Sequence, residues 1–473
     1  MWFVHEEDVV TPKLSLRSDL IGQAKFHPIV DVIIPAMRNR SILLLALPFL
    51  CIVAFLGGFI IYNLPPVNQR LAWRVDDLRM QIKYALNPPE EAIFVPGGQV
   101  VQVVAATLQA LTPTASATPT ATNPAATPLP TSTPTSTLTP LPQMVRLDGV
   151  KYEDQHNRWN YCGPANISMA LTFWGWDGNR DVVGKAIKPH DKDKNVMPYE
   201  MEEFVDEQVS GISALTRSGG EIELVKRLVA ASFPVLTEKG YYEYDYNGKL
   251  GWMGHYQYVT GFDDVKGILV VQDTYNDGPN YEVPYVDFLS GWRSFNYIFL
   301  VTYPVEREAE VLALLGPWAD PQWALQHALQ VAQAEITALQ GIDQFFAAFN
   351  TGTAHVGLRQ YVDAASAYDH AFSLYAVLPD DGNRPYRMMW YQTGPYWAYY
   401  YSGRYGDVVN LATTTLKDTI SEPVLEESLY WRAMAKIALG DPDGAVDDLR
   451  DSLKWHPEFI PSLDALASLG VTP

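Results

Sequence analysis

The stretch that decides the fold is residues 161–174, YCGPANISMALTFW. Pro164 has no backbone N–H and a fixed φ, which suits the first turn of a helix. The residues that follow are mostly apolar, and Gly175 can end the helix. The sequence therefore predicts a buried helix with Cys162 at or just before its N-terminus, where the helix dipole favours a thiolate over a thiol.

Cys162 has no predicted disulfide partner. The sequence contains two cysteines, and the other, Cys51, lies in an apolar segment that is typical of a membrane span. A small buried core thiol is the commoner role for a lone cysteine. We favour a nucleophile, because the other groups that a thiolate nucleophile needs can be found downstream.

Length and composition limit the classes of protein. A chain of 473 residues predicts two or three domains, and 13 Trp and 27 Tyr indicate sizeable cores. The net charge of -20 argues against nucleic acid or an anionic membrane surface as a partner. The sequence has no Cys/His ligand cluster and no glycine-rich phosphate loop, so neither a metal nor an organic cofactor is predicted.

The N-terminal part is predicted to be a membrane anchor followed by a stalk. Residues 42–62 carry no charge and are long enough for a retained transmembrane helix after a cytoplasmic tail, residues 1–41. A buried soluble helix is the alternative. Beyond a juxtamembrane segment, residues 63–104, the composition of residues 105–143 collapses to Thr, Pro, Ser and Ala, which is typical of a disordered stalk.

A stalk of this kind usually holds a domain away from a cell surface. We therefore expect a single-pass protein of the bacterial cell membrane. Its N-terminus would be cytoplasmic, and the chain beyond the stalk would lie outside the cytoplasm.

Residues 144–305 are predicted to form an α+β domain. Helical periodicity at residues 199–207 and 221–232 gives way to short β-branched and aromatic runs. A turn between two of these runs indicates a hairpin. Helices first and an antiparallel sheet second give the α+β class. The runs are residues 234–237, 255–260, 267–273 and 297–303.

Residues 306–473 are predicted to be all-helical. Three Ala-rich units lead to Pro379, Pro423 and Pro457, and the last two prolines lie 34 residues apart, the tetratricopeptide period. An insertion around residues 380–387 explains the longer first spacing. The alternative is an unrelated helical bundle. Either would serve as an interaction module for a protein partner or a substrate.

A base and its orienting group can be proposed from the strand pattern. His255 follows Gly254 at the start of a strand, where its side chain can emerge beside a cleft. The next strand ends at Asp273, which can lie beside His255 in a hairpin and set its tautomer. Asp263 and Asp264 are the rival orienting groups, although they are more typical of turn residues. Taken alone, His255 could be a structural histidine.

Two groups are candidates for stabilising an oxyanion. The backbone N–H of Cys162 lies at the predicted helix N-terminus. Gln155 could add its side-chain amide from a few residues upstream, and Asn157 and Asn160 are the alternatives.

These motifs resemble a known family. The Tyr-Cys-Gly-Pro-Ala, Gly-His-Tyr and Val-Val-Gln-Asp elements resemble papain-like cysteine peptidases of the bacteriocin-processing, double-glycine-leader type over residues 146–303. The resemblance implies a papain-like α+β fold with Cys162 as nucleophile, His255 as base, Asp273 as its orienting group and Gln155 in the oxyanion hole.

The sequence therefore predicts a membrane-anchored cysteine peptidase that acts on peptides or proteins. Two alternatives use the same residues. One is a catalytically silent adaptor that binds peptides or the cell wall, and the other is a cell-wall amidase or acyl transferase.

Overall fold

Short β-branched and aromatic runs join into one antiparallel sheet in the computed structural model of the chain. The structure describes residues 90–97, 140–190, 193–244, 250–379, 383–420 and 424–473, with isolated positions between 53 and 88. The chain divides into two units, Met1–Ala72 and Trp73–Pro473. The sheet and the helices around it belong to the second unit.

The sheet has seven strands: β1 (Met144–Arg146), β2 (Ile212–Arg217), β3 (Val235–Tyr244), β4 (Leu250–Asp263), β5 (Ile268–Asp273), β6 (Tyr281–Pro284) and β7 (Phe299–Pro304). Their order in the sheet is β2-β7-β3-β4-β5-β6, with β1 paired to the far end of β4. Gly261 on β4 permits the β1–β4 pairing, because a Cβ there would lie 2.6 Å from the carbonyl oxygen of Val145.

Helices cover both faces of the sheet. Successive side chains of a strand point to opposite faces, so Leu236 and Tyr258 pack on one helical layer while Val235 and Val259 pack on the other. The first layer is α1 (Cys162–Phe173), α2 (Arg180–Ile187) and α3 (Pro198–Gln208), and the second is α4 (Ile222–Ala230), α5 (Tyr285–Arg293) and α6 (Glu308–Leu315). The predicted α+β class with an antiparallel sheet is confirmed.

The C-terminal part is helical, as predicted. Three helical hairpins follow one another, and each turn contains a residue with positive φ two positions before the second helix: Arg359, Gly403 and Gly440. The helices are α7 (Pro321–Ala338), α8 (Gly341–Gly357), α9 (Tyr361–Val377), α10 (Met388–Tyr391), α11 (Gly394–Tyr401), α12 (Tyr405–Lys417), α13 (Glu426–Ala438), α14 (Pro442–Trp455) and α15 (Ile460–Ser468). The tetratricopeptide assignment stays a prediction.

The helical region shares a core with the sheet. Trp252 of β4 is 1% exposed and stacks on Phe295 at 5.6 Å between ring centroids. Phe346 of α8 and Tyr391 of α10 pack around the same indole at 6.0 Å and 5.8 Å. The strand that carries His255 is therefore held in place partly by helices more than 90 residues further along the chain.

Residues 90–97 also pack on the helical region. The ring of Phe94 meets Phe372 at 5.0 Å, and the backbone N–H of Gly97 donates to Asp407 Oδ1 at 2.6 Å. The chain therefore contacts the folded unit before it enters the segment that was predicted to be the stalk.

The predicted transmembrane helix, residues 42–62, lies outside the described residues except at isolated positions, as does most of the predicted stalk. Among the residues that the structure does describe, none of the helices combines the length and the apolar character needed to cross a bilayer.

Trp252→Ala should lower the free energy of unfolding by about 3–5 kcal/mol, because it removes a large buried side chain and leaves a cavity. The loss should appear in the unfolding of both the sheet and the helices, since the indole packs against both. Denaturant unfolding of the full chain, followed by circular dichroism and tryptophan fluorescence, measures it. Trp397→Ala, at an indole that is 38% exposed, is the control and should cost much less.

Candidate active site

Cys162 is the first residue of α1 and is half-buried. Asn166, one turn into the helix and fully buried, donates from Nδ2 to the carbonyl oxygens of Cys162 at 2.9 Å and Tyr256 at 3.0 Å. Because Tyr256 directly follows His255, this amide ties the start of the helix to the strand position that carries the histidine.

His255 lies between Cys162 and Asp273. Its imidazole lies close enough to the Cys162 thiol for each group to shift the pKa of the other. Its Nε2 lies 3.2 Å from Asp273 Oδ2, an ion-pair distance at which the alignment falls short of a well-formed hydrogen bond. With Nε2 against the carboxylate, Nδ1 is the ring nitrogen that faces the sulfur. The structure thus brings three of the predicted site residues together.

The Asp273 carboxylate is held from two sides. Its Oδ1 accepts the backbone N–H groups of Tyr275 at 2.8 Å and Asn276 at 3.0 Å. Its Oδ2 accepts Gln257 Nε2 at 2.6 Å, and Gln257 is the residue directly opposite Asp273 in the β4–β5 ladder. These contacts fix the carboxylate so that it faces His255.

The two rival orienting residues are occupied elsewhere. Asp263 accepts the backbone N–H groups of Val265 and Lys266 in the turn after β4. Asp264 pairs with Lys226 Nζ at 2.8 Å and accepts the hydroxyl of Tyr285 at 2.7 Å.

The electrostatics of the three groups favour charge separation. Burial raises the pKa of the Cys162 thiol, but the hydrogen bond and charge of His255 and nearby backbone groups bring that pKa below its ordinary value. Burial lowers the pKa of His255, whereas Asp273 and Cys162 raise it to about 9. Burial also raises the pKa of Asp273, and His255 and Gln257 lower it further than burial raises it. These shifts favour a thiolate beside an imidazolium over the two neutral groups.

Gln155 lies beside Cys162 in the candidate site. Its Oε1 accepts the hydroxyl of Thr274 at 2.8 Å, and its side chain lines the cavity that holds Cys162. The amide of Asn160 instead donates to the carbonyl of Asp193 at 2.8 Å, and Asn157 is exposed outside that cavity. The role of Gln155 in an oxyanion hole stays a prediction.

Cys162 lines a cavity of about 360 Å³. One wall comes from the sheet and from the segment before α1. The opposite wall comes from the helical region, at and just before α10. The cavity is lined by Gln155, Trp159, Asn160, Cys162, Lys194, Tyr241, Glu243, Tyr244, Met253, Gly254, His255, Tyr275, Arg387, Trp390 and Tyr391.

Three further features of the site were not predicted from sequence. Gln257 shares the face of β4 with His255 two residues away, and this alternation is a signal that could have identified it. Glu238 is 3% exposed, and burial, followed by the charge of Cys162, raises its pKa well above the usual value. This shift favours the neutral carboxylic acid, which opposes a nearby thiolate less than a carboxylate would. The contribution of α10 to the cavity wall could not be predicted, because no sequence pattern links this helix to the motifs around Cys162, His255 and Asp273.

One group of metal-donor side chains occurs among the described residues. Oxygen and nitrogen atoms of Asp193, Glu426 and His456 lie within 4.8 Å of one another. His456 Nδ1 and Glu426 Oε1 form an ion pair at 3.3 Å. None of the three lines the cavity of Cys162.

Residues 147–298 match the family model described as the Peptidase_C39 like family. This supports a C39-type cysteine peptidase domain in that third of the chain. A crystal structure described as a C39-like peptidase from Bacillus anthracis is similar at 16% sequence identity and a TM-score of 0.28, over 34% of this chain and 98% of that one. No curated protein matches the chain. Double-glycine specificity, like the repeat assignment, stays a prediction.

Asp273→Asn should lower the pKa of His255 and raise that of Cys162, because it removes the charge that stabilises the imidazolium. In a Cys51→Ser background Cys162 is the single cysteine, so the rate of alkylation by iodoacetamide between pH 4 and 9 reports its ionisation. Asp264→Asn removes a rival carboxylate that contacts Lys226 and Tyr285, and it should leave the profile unchanged. Equal shifts in the two variants would contradict the assignment of Asp273.

Proposed function

We propose that the domain is a cysteine peptidase that hydrolyses peptide bonds through a thioester intermediate. One arrangement carries this proposal: His255 lies beside the Cys162 thiol, and Asp273 lies behind the imidazole at the edge of a cavity. The match of residues 147–298 to a peptidase family supports it. A silent adaptor would need neither a lowered thiol pKa nor a held carboxylate.

The first half of the reaction uses the thiolate and the imidazolium. The sulfur of Cys162 attacks the carbonyl carbon of the substrate, and the C=O electron pair moves onto the oxygen. The N–H of Cys162 and the amide of Gln155 would stabilise that oxyanion. When the intermediate collapses, the C–N bond breaks and the leaving amine takes a proton from His255.

The second half releases the acyl group. His255, now neutral, removes a proton from water, and the resulting oxygen nucleophile attacks the thioester carbon. The C–S bond breaks, the acyl group leaves as a carboxylic acid, and the thiolate–imidazolium pair is restored. Asp273 keeps the imidazole oriented through both halves.

Incubation of the full chain with a peptide library of mixed sequence should give cleavage products and a trapped acyl–Cys162 species by mass spectrometry. The pH profile of kcat/KM should fall on its alkaline side near the His255 pKa of about 9, since the leaving amine needs the imidazolium proton. His255→Ala should lower kcat/KM by about 10²–10⁴-fold.

Cys162→Ala is the negative control for the peptide-library cleavage assay. Acyl transfer to added amines without hydrolysis would instead indicate the acyl-transferase alternative. Binding of peptides with no acyl–Cys162 species would indicate the adaptor.

We also propose that residues 42–62 anchor the protein in the membrane, with the peptidase outside the cytoplasm and the helical region available to a protein partner. The absence of charge in that segment and the Thr/Pro-rich composition of residues 105–143 support this.

In intact cells a membrane-impermeant maleimide should label Cys162, and Cys162→Ala should abolish the labelling. Cys51, inside the proposed span, should stay unlabelled because the reagent cannot enter the bilayer. Deletion of residues 42–62 should move the protein from the membrane fraction to the soluble fraction. Labelling that requires cell lysis would place the domain inside.

A further inference from the structure

Arg387, just before α10, is a buried cation without a carboxylate partner among the described residues. It is 2% exposed, its Nη1 donates to the carbonyl of Trp252 at 3.3 Å, and its Nε is buried with no hydrogen-bond partner in the part of the chain that the structure describes. The rings of Tyr386 and Trp390 lie 4.7 Å and 5.3 Å from its guanidinium carbon. A buried charge is costly unless an opposite charge compensates for it.

Three other arginines of the helical region and its border are neutralised by carboxylates. Arg404 pairs with Asp369 at 2.7 Å, and Arg432 pairs with Asp448 at 2.6 Å. Arg293, at the end of α5, pairs with Glu335 at 3.0 Å. Arg387 differs from them because it lines the cavity of Cys162. Its counterion position is therefore open to a ligand.

The charged side chains that line the cavity also favour an anionic ligand. In a protein with a net charge of -20, the described side chains that line the cavity include two cations, Lys194 and Arg387, and a single carboxylate, Glu243. That carboxylate accepts Asn276 Nδ2 at 2.6 Å, so it is held by a neutral donor on the side of the sheet. The cavity therefore suits an anionic ligand better than the rest of the surface does.

We propose that Arg387 binds a carboxylate of the substrate, so that the helical region selects acidic peptides for the peptidase. The proposal rests on the proposed function. The planar guanidinium presents parallel N–H donors that match a carboxylate in two-point contact. An Asp or Glu side chain and a free C-terminal carboxylate offer the same chemistry, and the experiment distinguishes them.

The position of Arg387 sets the distance from the scissile bond. Its guanidinium contacts β4 at Trp252, three residues before His255. At a rise of about 3.3 Å per residue, this places the anion site roughly 10 Å along the strand from the histidine. A carboxylate about two to three residues from the reacting carbonyl of an extended substrate would reach it.

Three reagents test the proposal in the Cys51→Ser full chain. N-iodoacetyl-Ala-Ala-Glu-amide carries a side-chain carboxylate, N-iodoacetyl-Ala-Ala-Gln carries only the C-terminal carboxylate, and N-iodoacetyl-Ala-Ala-Gln-amide is neutral. All three alkylate Cys162, with displacement of iodide by the sulfur. The second-order rate constants are measured at low salt and again at high salt.

At least one acidic reagent should react about tenfold faster than the neutral one, which corresponds to one charge-assisted contact. The advantage should shrink at high salt. A faster Glu-amide reagent indicates a side-chain carboxylate as the ligand, and a faster free acid indicates the C-terminal carboxylate.

Arg387→Gln should remove this advantage when each rate is divided by the iodoacetamide rate of the same variant, so that any change in thiolate reactivity cancels. Arg387→Lys keeps the charge but not the planar fork and should retain part of it. Arg384→Gln is the matched control: Arg384 is 9% exposed in the same segment, donates to the carbonyl of Leu378 and does not line the cavity. It should keep the full advantage.

Equal rates for acidic and neutral reagents in the wild type would overturn the proposal whatever the variants do. An advantage that survives Arg387→Gln, or that Arg384→Gln also removes, would overturn it as well. Failure of the proposed function looks different: iodoacetamide would then label Cys162 slowly, with an ordinary thiol profile. The ratio of acidic to neutral reagents can still be measured in that case.

Discussion

The site depends on one buried amide. Asn166 donates from a single nitrogen to the carbonyls of Cys162 and Tyr256, which lie on α1 and β4. Its Oδ1 is buried and finds no partner among the residues that the structure describes, so the contact carries a desolvation cost as well as two hydrogen bonds. The thiol can meet the imidazole only if the helix N-terminus and the strand keep this separation.

The second constraint is the register of the β4–β5 hairpin. Asp273 lies opposite Gln257 and therefore diagonal to His255, within reach of its ring. A slip of one residue would turn the carboxylate to the other face of the sheet. The turn at Asp263 and the buried apolar side chains of β5 hold the register, so the packing of the sheet and the chemistry of the site require the same alignment.

The helices that follow the sheet also form part of the candidate site. The Trp252 indole joins them to β4, and a Cβ on Gly254 would lie 2.9 Å from the ring of Tyr391. That glycine precedes His255, so the close approach of α10 and the placement of the histidine occur at the same point of the strand. A region predicted to recruit partners thus also shapes the cavity, which gives the proposed enzyme a means of selecting substrates.

Local sequence determined the elements that local chemistry controls. Pro164 and the apolar residues after it specify a helix that begins at Cys162, and short β-branched and aromatic runs in β4 and β5 specify the strands that carry His255 and Asp273. Tertiary structure alone decided that Arg387 lines the same cavity, because more than 200 residues separate it from Cys162 and no periodicity links them. Contacts of that separation follow from how the layers pack, and a local pattern carries no information about them.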